Sequence, residues 1–216
     1  MSELHVADSG IVSNGVVFKI PDIRLLKLIS KFCDKSSTRY ALSGLHVRST
    51  GSESVIVSAT NGMSLISMLF VQATTFEFEP FVIPSELIER SAKGATKSNH
   101  ARLLSYDEKI ITISARGESQ SANPVQGRFP CIADVYPLGN DIPDEVNRYG
   151  RFHPEQLAKF YAIGDLIDEK VEITQSKPNS VAFVSFTCRD DLAGVIMPLV
   201  GNDTIVRKPP SWVYSG

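Results

Sequence analysis

VIVSATNGMSLISMLFV, residues 55–71, holds the reading that decides the fold: two apolar, β-branched-rich runs separated by Thr60, Asn61, Gly62, Met63 and Ser64. Asn-Gly between apolar runs signals a tight turn, because both residues tolerate positive φ. Two strands are therefore expected to meet here, with the junction residues presented at the surface. A hairpin alone is common to many folds, so its meaning comes from what flanks it.

Upstream, VVFKI (16–20) reads as a strand, followed by Pro21, Asp22 and the run IRLLKLISKFCDK (23–35). Ile23, Leu26, Ile29 and Phe32 recur at helical spacing behind Asp22, a good N-cap. Arg24, Lys27, Lys31 and Lys35 fall three or four apart and share the opposite face. YALSGLHVRS (40–49) then reads as a strand before the opening hairpin, which gives the order strand, helix, three strands.

That order returns downstream. FEFEPFVI (76–83) is strand-like, Pro84 and Ser85 punctuate it, and ELIERSAKGATK (86–97) reads as a short helix capped by Ser85. Arg90, Lys93 and Lys97 repeat the basic spacing, and Gly94 is positioned to end the helix before Lys97. Strands are expected at 101–106, 110–115 and 119–125. A third round runs from a strand at 148–153 through Pro154 and the helix EQLAKFYAIGDLI (155–167) to strands at 171–175, 181–187 and 192–199. Its helix offers only Lys159 as a basic group. Pro21, Pro84 and Pro154 thus mark three βαβββ units. The Pro-, Gly-, Asn- and Asp-rich stretch 128–150 is the boundary candidate, which divides the chain into an N-terminal segment (1–15), two units at 16–137, one unit at 138–200 and a tail at 201–216.

Composition narrows the function. With 216 residues and 43% hydrophobic content, the chain can bury a core without staples. Cys33, Cys131 and Cys188 lie far apart, which points to a reducing, cytoplasmic setting rather than a disulfide framework. No run is long enough to span a membrane, and the polar start MSELHVADSG is unlike a signal peptide. A net charge of −2 excludes a protein that coats nucleic acid with its whole surface but allows one basic face.

Enzyme signatures are absent: no G-x-G-x-x-G, Walker loop, H-E-x-x-H or G-x-S-x-G occurs. His5, His46, His100 and His153 are scattered, with no metal-ligand spacing, so no catalytic residue, metal or cofactor is expected. Asp190 and Asp191 read as a solvated turn, and Cys131 as a packed thiol without a base. The basic helical faces remain. One such face is ordinarily a solvated surface; two in successive repeats point to a sequence-independent track for phosphates. No aromatic residues interleave with them, so base stacking is not indicated.

Taken together, the chain resembles the bacterial β sliding clamp, the ring-shaped processivity factor of replicative DNA polymerase. RYALSGLHV (39–47) and VSATNGMSL (57–65) resemble the family's L-x-G and A-T-D-G-x-x-L segments. EPFVIPSELIERSAK (79–93), GRFPCIADVYP (127–137), GRFHPEQLAKFYAI (150–163) and VIMPLV (195–200) are similar to later family segments in the same order. The resemblance covers roughly residues 16–200 and implies an α+β DNA-clamp architecture, with sheets outside and helices on one face. Residues 16–137 are similar to the family's middle domain, and 148–200 to the second half of its last.

The resemblance also implies two surfaces. Basic helices would meet double-stranded DNA through Arg24, Lys27, Lys31, Arg90, Lys93, Lys97 and Lys159. A hydrophobic peptide groove for DNA polymerase or other clamp-binding proteins would use Leu42, Thr60, Gly62, Met63, Ser64, Leu65, Pro130, Val135, Met197, Pro198 and Leu199. Asn61, Met63, Ser64 and Val200 stand where the family has Asp, His, Arg and Arg, so the groove would be less polar. Three units cannot close a family ring unaltered, and pairing of third units between chains would make a homo-oligomer, four chains completing a ring. The alternative is a peptide-binding decoy or regulator that keeps the groove without encircling DNA. The tail GNDTIVRKPPSWVYSG, with Trp212, is polar and Pro-rich.

Overall fold

In the computed structural model, the hairpin forms as read. Strand β3 (Ser54–Thr60) pairs antiparallel with β4 (Ser64–Val71), with Val55 opposite Phe70, Val57 opposite Met68 and Ala59 opposite Ile66 on the buried face. The structure describes residues 15–36, 38–51, 53–72, 77–132, 134–136, 150–176 and 180–199. Residues 1–14, Pro137, Val200 and the tail with Trp212 lie outside the described residues.

Two sheets carry the molecule. β1 (Val16–Ile20), β6 (Arg102–Tyr106), β7 (Ile111–Ala115) and β8 (Glu118–Ala122) form a four-stranded sheet in that order. The second has seven strands: β5 (Phe81–Pro84), β2 (Gly44–Ser49), β3, β4, β11 (Leu192–Ile196), β10 (Ala182–Phe186) and β9 (Val171–Gln175). All pairs are antiparallel. The first two units therefore exchange their leading strands: β1 joins β6 of the second unit, and β5 joins β2 of the first. Gly44 permits the second crossing, because a Cβ there would collide with the Ile83 carbonyl.

Helices α1 (Ile23–Ile29), α2 (Ser85–Ser91) and α3 (Pro154–Ile167) are layered on the sheets, with α1 packed against both α2 and α3. Asp22 caps α1, its Oδ1 accepting the Arg24 N–H at 2.8 Å. One continuous core joins all three units: Phe32 and Phe160 meet edge-on at 4.8 Å, tying the end of α1 to α3.

Several elements differ from their sequence reading. Residues Tyr40–Ser43 make a 3-10 turn instead of the start of β2, held by Leu42 N–H donating to the Arg39 carbonyl at 2.9 Å. Residues 77–80 are not a strand, and Pro80 stands directly before β5. Pro84, in extended conformation, takes the N-cap position of α2, while Ser85 is the first helical residue, fully buried, its hydroxyl making no hydrogen bond. α2 ends at Ser91, and Lys97 lies beyond Gly94, whose φ of 74° breaks the helix. Residues 150–153 form no strand; 148 and 149 lie outside the described residues.

Sheet edges are treated unequally. The Gln72 side chain closes β1 as a neighbouring strand would, accepting from Lys19 N–H at 3.0 Å and donating to the Lys19 carbonyl at 3.1 Å. β5 is covered where Val125 N–H donates to the Val82 carbonyl at 2.9 Å.

Candidate functional site: a seam between the first and third units

The turn at the tip of β3 and β4 is built on side chains. Gly62 and Met63 are its central pair, with Gly62 at φ 84°, the conformation a primed hairpin turn needs at its first central position. Asn61 stands outside that pair: its Oδ1 accepts the N–H groups of Met63 and Ser64 at 3.0 and 2.9 Å. Thr60 Oγ1 accepts from Gly62 N–H and donates to the Ser64 carbonyl.

This turn is latched to the third unit. Gln156 of α3, 6% exposed, presents one oxygen to three donors: Ser64 Oγ at 2.7 Å, Asn61 Nδ2 at 3.0 Å and Lys159 Nζ at 3.0 Å. β11 runs antiparallel to β4 in a register that sets Ile196 opposite Ser64. The register carries on past the strand ends, and Met197 N–H donates to the Met63 carbonyl at 2.8 Å. Met63, Met197 and Leu199 are 45%, 46% and 48% exposed, and the register brings Met63 beside Met197 although the two lie more than 130 positions apart in the chain.

The other expected groove residues divide between the seam and a separate recess. Thr60, Ser64 and Leu65 are buried beneath the turn, and Pro198 is half-buried. Leu42 packs with Ala41 and Phe129 in a satellite cluster, and Leu42 and Pro130 line a separate recess of about 550 Å³ with Arg39, Tyr40 and Arg128. That recess includes neither Met63 nor Met197. Val135 is half-buried, next to Tyr136, whose hydroxyl donates to the Ala193 carbonyl at 2.8 Å and so pins the boundary segment to β11. Burial pushes the Tyr136 hydroxyl up to about 12. Gln156 and Tyr136 were not singled out in the sequence; a lone Gln on a helix carries no signal there.

The wall carrying Pro130 rests on a histidine. The His46 ring stacks on Phe129 at 4.6 Å, nearly parallel. Burial, with the Arg48 charge adding to it, lowers His46 from 6.5 to about 4. Unfolded, the imidazole binds a proton near pH 6.5; folded, it does so only near 4. Between those values the unfolded state holds more protons, so stability falls as pH drops. Urea midpoints are expected to decline from pH 6.5 towards 4, and His46→Gln to flatten the part of that decline it causes.

The basic residues divide into two sets. Lys27, Lys31, Arg90, Lys93 and Lys97 are exposed. Arg24 is held by Asp22 in a two-pronged ion pair, Nη2–Oδ2 at 2.6 Å and Nε–Oδ1 at 3.0 Å. Lys159 is drawn inward, bonded to Gln156 and lying 5.5 Å from the Phe32 ring centre; burial lowers its pKa. Among the described residues, no group of three His, Cys, Asp or Glu is placed to hold a metal, and no helix is long and apolar enough to cross a membrane.

Repeated βαβββ units with antiparallel sheets on one side and helices on the other define the DNA-clamp class of fold. Within that class the chain has the fold of the bacterial DNA polymerase III β sliding clamp. The Pseudomonas aeruginosa clamp bound to griselimycin matches with a TM-score of 0.66 at 19% identity, over 90% of this chain and 67% of that one. The β subunit of DNA polymerase from Streptococcus pyogenes gives 0.66 at 13% identity, over 88% and 67%. The Caulobacter crescentus sliding clamp gives 0.64 at 15%, over 91% and 69%. The chain therefore spans about two thirds of these clamps' length. No protein-family model and no curated protein matches the sequence.

Proposed function

We propose that the chain is a non-enzymatic, cytoplasmic, clamp-like protein that meets double-stranded DNA through its basic helices and tethers a polymerase or repair protein by a short apolar peptide. In this reading residues 16–137 form a clamp-like domain and 138–200 a partial one, which associates with further copies. The seam is the observation that supports it most: the Ile196–Ser64 register sets exposed Met197 beside exposed Met63 while Gln156 locks the turn. An exposed apolar patch on a rigid frame suits an anchor-residue peptide.

A second reading, the peptide-binding regulator that leaves DNA alone, is favoured by the fate of two basic candidates: Arg24 is held by Asp22 and Lys159 by Gln156. Fluorescence anisotropy with a labelled duplex and a labelled Leu/Phe-anchored pentapeptide separates the two. Binding of both supports the tether, binding of peptide alone supports the regulator, and binding of neither overturns both.

A further inference from the structure

We infer that the recess between the end of α2 and the β6–β7–β8 sheet is a binding site for a small polyphosphate anion of the pyrophosphate class. The recess holds about 310 Å³, the small end of ligand cavities, and Arg90, Lys93, Arg102 and Arg116 line it with one carboxylate, Glu118. Neither the four cations nor Glu118 forms an ion pair among the described residues. Four positive charges thus converge on one concave space with a single negative charge to offset them.

Arg102 is the residue that points to a ligand. It is 8% exposed, and an arginine this buried ordinarily has a counter-ion, because an unpaired charge is costly away from water. Here its donors meet only backbone carbonyls: Nε donates to Ser91 at 3.2 Å, and Nη1 to Asn99 at 3.3 Å and to Ala101 at 2.9 Å. Those carbonyls satisfy hydrogen bonds but leave the charge whole, and Nη2 has no partner among the described residues. The hydroxyl of Ser91, which also lines the recess, is buried without a hydrogen bond. A guanidinium fixed through two of its nitrogens, with the third still free to donate, is a preformed seat for an anion.

The ligand class follows from the lining. No aromatic residue lines the recess, so a nucleobase has nothing to stack on, whereas phosphoryl oxygens match the cations. Arg102 comes from β6, Arg116 from the turn between β7 and β8, and Lys93 from just past the end of α2, so an anion that engages them together needs charge on more than one phosphoryl group. Arg102 and Arg116 belong to no basic helix face, and Arg90 already reaches to the Ser121 carbonyl at 3.4 Å. The site is therefore distinct from the helical track proposed for duplex DNA and shares with it only Arg90 and Lys93.

Titration calorimetry of the full chain with pyrophosphate is expected to show binding, and thermal melts a rise in midpoint that sodium chloride at equal ionic strength does not give. Arg102→Gln should weaken binding about tenfold or more, the loss of one charge-assisted hydrogen bond. That change also disturbs the bonds to backbone carbonyls, so Arg116→Asn tests the site without it. Arg116 sits at φ 50°, a conformation asparagine tolerates, and loss of its charge should weaken pyrophosphate binding severalfold. Glu118→Gln should tighten it. Lys27→Ala with Lys31→Ala, both outside the recess, should leave pyrophosphate affinity unchanged while lowering duplex binding. No heat and no shift in midpoint at millimolar pyrophosphate overturns the proposal. So does pyrophosphate binding that Arg116→Asn and Glu118→Gln leave alone, or that the Lys27 and Lys31 changes remove.

Discussion

Met63→Asp is expected to leave the protein folded and to weaken an apolar-anchored peptide about thirtyfold or more, the loss typical of a hot-spot residue worth at least about 2 kcal/mol. The fold should survive because Met63 serves the turn only through its backbone. Its N–H donates to Asn61 and its carbonyl accepts from Met197, and neither bond needs the thioether. The side chain is 45% exposed, so a carboxylate there stays hydrated until a ligand arrives. An incoming leucine or phenylalanine must then strip that water, with apolar Met197 beside it. Anisotropy and a thermal melt, run together, check the outcome. Unchanged peptide affinity with an unchanged melt would remove the seam from the binding site. Met197→Asp should act in the same direction, and the pair should be less than additive because the two residues touch.

Replacing Arg24, Lys27, Lys31, Arg90 and Lys93 together with Ala should nearly abolish duplex binding without altering sequence preference. Each phosphate left without its cation lowers the slope of log affinity against log salt by about 0.9, so the four exposed cations among the five, Lys27, Lys31, Arg90 and Lys93, account for roughly 3 to 4. The five side chains are not equal. Arg24 reinforces the Asp22 cap: partial burial would raise that carboxyl, but the Arg24 hydrogen bonds overcome it and hold it below its ordinary value. Arg24→Ala alone should therefore cost less DNA affinity than Lys31→Ala and more helix stability. Salt titrations of the single and combined variants measure the first effect, and their thermal melts the second. Identical slopes for the wild type and the five-fold variant would falsify the DNA-facing role of these helices.

Local features of this fold were readable because their causes are local. Asp22 caps α1, the apolar runs around Gly62 pair as strands, and β1 falls on the residues whose composition demanded it. The turn lies where the sequence places it, but its central pair is Gly62-Met63, since Asn61 gives its side chain to capping. What periodicity cannot convey is partnership. Nothing in VVFKI says that it pairs with the second unit and not its own, or that Gln72 will seal its outer side. The candidate sites divide along the same line. Met63 and Met197 are groove candidates only through the family resemblance, and their adjacency rests on the β4–β11 register, a fact of the whole chain. Lys159 stands among the basic candidates in the sequence because charge spacing is blind to the Phe32 ring beneath it.

The exchange of leading strands also sets a timetable. Val16 pairs with Tyr106 and Ile20 with Arg102, so as the chain leaves the ribosome β1 must wait for most of two units before it finds its partner. β2 waits in the same way for Phe81–Pro84. Pairings this distant in sequence are slow to form, because loop closure comes before any gain from contact. The hairpin at 55–71 needs nothing from afar and can stand first. A nascent chain is thus expected to gather around that turn, with β1 among the last to dock.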